Sequence, residues 1–362
     1  MHIPLKFLYL FIQNIAFLVS ATENYQCGVS SQSLGAGPPS PAGSQRIING
    51  QNHTKNLFPW LAQLVDCKSP NQKLLCETFC GGTLIHKNFV ISAAHCLVNK
   101  YFEVLVVLGY DDLYDTNKIG QTRTRISQES SGKQEFQSFS VNRKDIYLHE
   151  NYDSSRGINY NNDIAILHLK GAGAAYTNSV RPICLLNLES QGNYFQEIDD
   201  NIESQTRFTI AGWGSTSYDF KNGIDLLPSK LQYASVKLIN QEYCQRWYEN
   251  SFLFNNKPLL SNNMFCAGYI YGGTDACKGD SGGPLMVNDL KTNQWSLIGI
   301  ISWGYGCAEK MLPGVYTKVG NYLNWIEDMK DVILRKEGYE TLRNLARSRS
   351  EENCRCFVNK EN

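Results

Sequence analysis

Short apolar-rich runs alternate with turn residues through most of the chain. Residues 60–65, 89–92, 103–108, 164–169, 207–211 and 295–302 are the clearest. Runs of this length, bounded by Gly, Asn, Asp and Ser, predict an all-β sandwich or barrel, and periodicity alone does not choose between the two. Helical pattern is scarce. Its best instance spans residues 322–334, where Leu323, Ile326, Met329, Ile333 and Leu334 recur on roughly one face. Beyond it, residues 335–362 are highly charged, with Arg343, Arg347 and Arg349 close together, which predicts a loosely ordered tail. At the other end, residues 22–46 are poor in apolar side chains and rich in Gly, Pro and Ser. Such a segment cannot bury enough surface to fold alone and is expected to be a linker or pro-segment. No internal repeat stands out.

Charge changes this picture little. The 362 residues carry 34 basic and 34 acidic side chains, so no strong electrostatic pull toward nucleic acid or a membrane surface is expected. The 12 cysteines change it more. In a cytosolic enzyme they would point to metal sites, and in an oxidising compartment to disulfides. The N-terminus favours the second. Lys6 precedes an apolar run over residues 7–19, broken only by Gln13 and Asn14, and Val19-Ser20-Ala21 then offers small residues for cleavage. Residues 1–21 are read as a signal peptide. A membrane anchor is the alternative, but the run is short for a span. A secreted, extracellular product with no membrane attachment after removal of the leader is expected. Asn52-His53-Thr54 is the one N-x-S/T acceptor, making Asn52 a candidate glycosylation site.

Three segments carry chemistry together: Ala93-Ala94-His95-Cys96, Asn162-Asp163-Ile164-Ala165, and Gly279-Asp280-Ser281-Gly282-Gly283-Pro284. A hydroxyl is a weak nucleophile at neutral pH and needs a base to take its proton and a third group to orient that base. His, Asp and Ser appear in that chain order, the order of chymotrypsin-like enzymes and not of subtilisins or α/β-hydrolases. From Ile47 to about Ile333 the sequence resembles the chymotrypsin/trypsin family of serine peptidases.

The resemblance implies two packed antiparallel β-barrels of six-stranded type with a C-terminal helix. The catalytic domain would span residues 47–334, preceded by a pro-segment over 22–46 and followed by the charged tail. It assigns Ser281 as nucleophile, His95 as general base and then acid, and Asp163 as the buried group that orients the imidazole. The N–H groups of Gly279 and Ser281 would form the oxyanion hole. Cutting between Arg46 and Ile47 would free an α-amino group to pair with Asp280, which is therefore a switch and not a catalyst. Asp275, six residues before Ser281, would lie at the base of a pocket for Arg or Lys. Ser302, Trp303 and Gly304 would line the substrate strand, Gly314 would leave room for a long side chain, and Tyr316 would line the pocket. Tyr160 is a candidate wall of the next subsite. No cofactor and no metal are implied. The partners implied are protein or peptide substrates with Arg or Lys at the cleavage position, an activating trypsin-like protease and proteinaceous inhibitors. A catalytically silent protease-like binding module is the alternative.

The same resemblance pairs Cys80 with Cys96, Cys244 with Cys266 and Cys277 with Cys307, and matches Cys27 and Cys184 to a bridge that tethers the pro-segment. Cys67 and Cys76 lie in an insertion and are expected to pair with each other. Cys354 and Cys356 stay open between a strained ring and pairing with another chain. A frequent family bridge is absent, its two places taken by Phe208 and Val287. Residues 66–78, 110–141, 215–229 and 245–263 read as long surface loops. Within them Asp111, Asp112 and Asp115 form an acidic set. Tyr110 stands where calcium-binding members have a carboxylate, so a solvated loop is expected there and not a calcium site.

Overall fold

The computed structural model describes residues 26–31, 51–52, 56–68, 75–99, 103–112, 136–152, 160–186, 188–197, 202–215, 218–219, 224–225, 228, 230–251 and 260–358. Residues 1–21, read above as a signal peptide, and the Arg46–Ile47 bond lie outside them. The runs expected as strands are strands. In chain order, β1 (Gln51–Asn52) is followed by β2 (Leu61–Lys68), β3 (Leu75–His86) and β4 (Phe89–Ser92). Helix α1 (Ala94–Leu97) follows, then β5 (Val104–Leu108), β6 (Gln137–Val141), β7 (Ile146–Leu148) and β8 (Ala165–His168). The second half holds β9 (Cys184–Leu185), helix α2 (Leu188–Gln196), β10 (Glu203–Gly212), a small hairpin β11 (Tyr218–Asp219) and β12 (Ile224–Asp225), and β13 (Gln232–Ile239). Helix α3 (Gln241–Asn250), β14 (Met264–Gly268), β15 (Pro284–Asp289), β16 (Gln294–Trp303), β17 (Gly314–Lys318) and helix α4 (Leu323–Val358) complete the chain.

The first sheet has the order β6-β5-β2-β3-β4-β8-β7, antiparallel throughout. In the second, β13-β10-β15-β16-β17-β14 close on themselves because β14 pairs back onto β13. Each half is thus a curled or closed β-sheet, as expected. One pairing departs from an all-antiparallel plan: β9 lies parallel to β16, Ser296 opposite Cys184. The chain crosses there from the first sheet to the second, and the segment 26–31 docks on the same edge. Gly28 donates to the Pro182 carbonyl at 2.8 Å and accepts from Trp295 N at 2.9 Å. Where the halves meet, Phe58 packs edge-on against Trp295 with ring centroids 5.4 Å apart, and the Trp60 indole donates to Met286 Sδ. Phe208 and Val287, in the places of the absent bridge, are buried in one apolar cluster of the second sheet.

Five disulfides are formed: Cys27–Cys184, Cys67–Cys76, Cys80–Cys96, Cys244–Cys266 and Cys277–Cys307. Cys67 and Cys76 face each other directly across β2 and β3, so much of the expected loop 66–78 is a hairpin.

Two expectations about helices need correction. The C-terminal helix does not stop at Leu334 with a loose tail after it, but continues to Val358. Residues 335–358 are rich in Arg and Glu, which favour helix, contain no proline, and include one glycine, Gly338. Glu337 also ties this helix to the first sheet, accepting from Gly171 N at 3.2 Å and lying 3.3 Å from His168 Nε2. The other correction is α3, which occupies the start of the expected loop 245–263. Asn240 caps it, accepting from the backbone N–H groups of Glu242 and Tyr243.

Candidate active site

Strand pairing brings the first two candidates together. Strand β4 ends at Ser92 opposite Ala165, the first residue of β8. His95 follows that end and Asp163 precedes that start, so both sit at one edge of the first sheet. Asp163 is fully buried. Its Oδ2 lies 2.7 Å from His95 Nδ1 and accepts from the Ser302 hydroxyl at 2.5 Å, while Oδ1 accepts from the His95 backbone N–H at 2.8 Å. A buried carboxylate is tolerated when donors of this kind surround it. His95 is anchored on α1 by the neighbouring Cys96–Cys80 bridge and keeps 23% of its side chain exposed. The sulfurs of Cys80 and Cys96 are bonded to each other, so they offer no thiolate to a metal beside His95.

Ser281 comes from the second sheet, in the turn before β15. Its carbonyl accepts from Gly81 N at 2.8 Å, which fastens the turn to β3 of the first sheet. The following residue must be glycine. Gly282 has φ +80°, and a Cβ there would stand 2.1 Å from Ser92 Oγ. Ser281 and His95 line the same cleft of about 400 Å³, together with Tyr160, Asp275, Ser302 and Trp303.

Asp275 lies at the buried part of this cleft, 4% exposed. Its oxygens accept from Ala276 N at 2.8 Å and Ala308 N at 3.2 Å, and no cation pairs with it among the described residues. Burial pushes its carboxyl up to about 7, against the pull of those backbone donors. A Cβ on Gly314 would come within 2.8 Å of Asp275 Oδ1, so any larger residue there would crowd the carboxylate. Tyr316 is fully buried beside it, its hydroxyl without a hydrogen-bond partner among the described residues, and burial raises that phenol well above its ordinary range. Cys277–Cys307 ties together the segments that carry this wall. Gly304 also lines the cleft, and Trp303 contacts Tyr160 at 6.5 Å between ring centroids. Tyr160 in turn sets its ring edge-on to His95 at 5.6 Å.

Asp280 is buried and is not among the residues that line the cleft. It accepts from Gly214 N at 2.7 Å and Cys277 N at 2.9 Å, and burial pushes its carboxyl up to about 6. Among the described residues it too has no cationic partner. Asn52 lies in β1, and Thr54 of its acceptor triplet falls outside the described residues.

The trypsin family model matches residues 47–326. The chain belongs to the trypsin family of serine proteases. It is 35% identical over 293 residues to vitamin K-dependent protein C of Rattus norvegicus, covering 80% of this chain and 53% of that protein. It is 28% identical over 305 residues to ovochymase of Halocynthia roretzi, covering 84% of this chain and 16% of that one. The chain therefore spans about half, or less, of the length of these relatives. Among the described residues no helix is long and apolar enough to cross a membrane.

Some contacts of this trypsin-family site had no sequence signal. Thr317 Oγ1 donates to the Asp163 carbonyl at 2.8 Å. A set of asparagines from distant segments gathers behind Asp163 (Asn162 with Asn263, for instance, at 3.2 Å).

Proposed function

We propose that this chain is a secreted zymogen of a serine endopeptidase that, once cut between Arg46 and Ile47, hydrolyses peptide bonds after Arg or Lys. The observation that carries the reading is Asp275: a buried carboxylate with no cation beside it among the described residues, in the same cleft as Ser281 and His95. A guanidinium or ammonium entering that cleft would meet a charge already stripped of water, where charge-assisted hydrogen bonds are strong.

In the mechanism that follows, Ser281 Oγ attacks the scissile carbonyl carbon as His95 Nε2 takes the hydroxyl proton. Asp163, bonded to Nδ1, stabilises the imidazolium. The N–H groups of Gly279 and Ser281 receive the oxyanion. The tetrahedral species collapses as His95 passes its proton to the leaving amine, which departs and leaves an ester on Ser281. Water then attacks that ester, His95 again taking the proton, and the acid product leaves as His95 returns the proton to Ser281.

Activation rests on Asp280. A new α-amino group at Ile47 would complete a buried ion pair next to the turn that carries Gly279 and Ser281. Without that partner the buried charge is costly. The leader and the five disulfides support secretion. The docked segment 26–31, tethered by Cys27–Cys184, and the braced β2–β3 hairpin favour limited proteolysis over bulk digestion. The partners expected are an activating trypsin-like protease and protein inhibitors, with Asn52 as a glycosylation site.

Labelling with a serine-directed phosphonate tests this. The chain cut at Arg46 should be labelled on Ser281, mapped by mass spectrometry, and far more slowly when uncut. Absence of labelling after correct cutting would favour a silent binding module instead.

A further inference from the structure

Asp163 is held by more than the groups that touch its carboxylate. The residue before it, Asn162, has φ +57°, a left-handed conformation that asparagine tolerates better than most side chains. Its carbonyl accepts from Ile164 N at 2.8 Å, a tight turn that places Asp163 at its centre. Both ends of the Asn162 amide are engaged around this turn. Nδ2 donates to the Asn151 carbonyl at 2.9 Å. Oδ1 accepts from the Tyr322 hydroxyl at 3.0 Å and from Asn263 Nδ2 at 3.2 Å. A carbonyl can only accept and the Asn263 amide nitrogen can only donate, so these neighbours fix which end of the Asn162 amide faces which way.

These partners belong to different parts of the molecule. Asn151 follows β7 in the first half. Asn263 immediately precedes β14 of the second sheet, and its carbonyl accepts from Lys318 N at 2.8 Å. Tyr322 immediately precedes the C-terminal helix. The linkage is doubled at the adjacent residue, where Asn161 Oδ1 accepts from Ser261 Oγ at 2.7 Å and from Asn263 Nδ2 at 3.3 Å. Asn321 closes the set, donating to the Asn262 carbonyl and Asn263 Oδ1, each at 3.0 Å. The first half supplies His95 and Asp163 and the second supplies Ser281, so the register between the halves sets how the nucleophile meets its base.

We propose that this amide cluster is an inter-barrel clamp that holds the Asp163 turn in register with the second sheet, and that Asn162 and Tyr322 are positioning residues for peptide hydrolysis. The inference rests on the peptidase reading above. It adds that the asparagines act on turnover, beyond contributing to stability. A displacement of about 1 Å in a reacting group can lower a rate roughly 100-fold. Asn162→Gly retains the positive φ while deleting the hub, and Tyr322→Phe removes one hydroxyl without altering the ring.

The test uses the full chain cut at Arg46, a peptide amide with arginine before the scissile bond, and active-site titration with a phosphonate to count competent molecules. Melting temperature is measured alongside. For Asn162→Gly, kcat per titrated site should fall roughly 10- to 100-fold while KM changes less than about twofold. Tyr322→Phe should show the same split, with a fall of about fivefold from one lost hydrogen bond. A lowered melting temperature with kcat per site unchanged in both variants would assign the cluster a purely structural role and overturn the proposal. A rise in KM at constant kcat would also overturn it, placing the cluster in substrate binding. An inactive parent would refute the peptidase reading and the clamp together. An active parent with indifferent variants would refute the clamp alone.

Discussion

Replacing Asp275 with asparagine should separate specificity from stability in opposite directions. The carboxylate is almost wholly buried at the cleft, its charge is met among the described residues by backbone donors, and burial pushes it up to about 7. An arginine side chain reaching it would form a buried ion pair, and removing one partner from such a pair costs about 3–5 kcal/mol. At about 1.4 kcal/mol per tenfold, kcat/KM on arginine substrates should drop roughly 10²- to 10⁴-fold, with far less change on a phenylalanine substrate. The free enzyme should respond the other way. The carboxyl sits higher when folded than its ordinary value of 3.8. An acid raised on folding contributes a stabilising neutral form at low pH, and that contribution is lost as pH climbs through the folded value. The native carboxylate therefore weighs against folding progressively between about pH 4 and pH 7, by at most on the order of 4 kcal/mol. Asp275→Asn should accordingly raise the melting temperature at pH 8 and change it little at pH 4. The assay is peptide hydrolysis at both residues together with thermal melts at both pH values. An unchanged preference for arginine would show that Asp275 is not the base of the pocket. A variant less stable at pH 8 would refute the desolvation argument.

Further outcomes follow from the same geometry. Asp280→Asn should abolish most of the gain in peptidase activity on cutting at Arg46, by roughly 100-fold or more, while the melting temperature of the uncut chain holds or rises, as read by rates before and after cutting. Phe208→Ala, a deletion inside a closed apolar cluster, should destabilise the chain by about 3–5 kcal/mol in denaturant titration; a loss under 1 kcal/mol would mean the site collapses freely. After cutting at Arg46, the upstream peptide should remain with the body on a non-reducing gel and separate on reduction, because Cys27–Cys184 crosses the cut. Separation without reductant would show that this bridge is not formed.

The site was legible where its chemistry is carried by local motifs. His95 lies at a strand-to-helix junction and Ser281 in a glycine turn, and each is recognisable within a few residues. Asp275 and Asp280 were singled out by the family resemblance at their places before Ser281, and both are buried. The strands were visible because β-branched and aromatic runs end at turn residues. Contacts assembled across the fold left no such trace. The partners of Asn162 come from residues 151, 263 and 322, and no spacing in one sequence connects them. The length of α4 was missed because residues after Leu334 carry charge and helix propensity in place of an apolar stripe. The parallel pairing of β9 with β16 was missed because a two-residue strand has no periodicity to read.

The central claim is tested most directly by steady-state hydrolysis with the chain cut at Arg46 and its new Ile47 terminus verified. Matched peptides ending in Arg, Lys, Phe or Ala at the cleavage position would be compared, with Ser281→Ala as control. The account predicts turnover after Arg and Lys, orders of magnitude slower cleavage after Phe and Ala, and none in the variant. Turnover that survives Ser281→Ala, or that favours Phe, would contradict it.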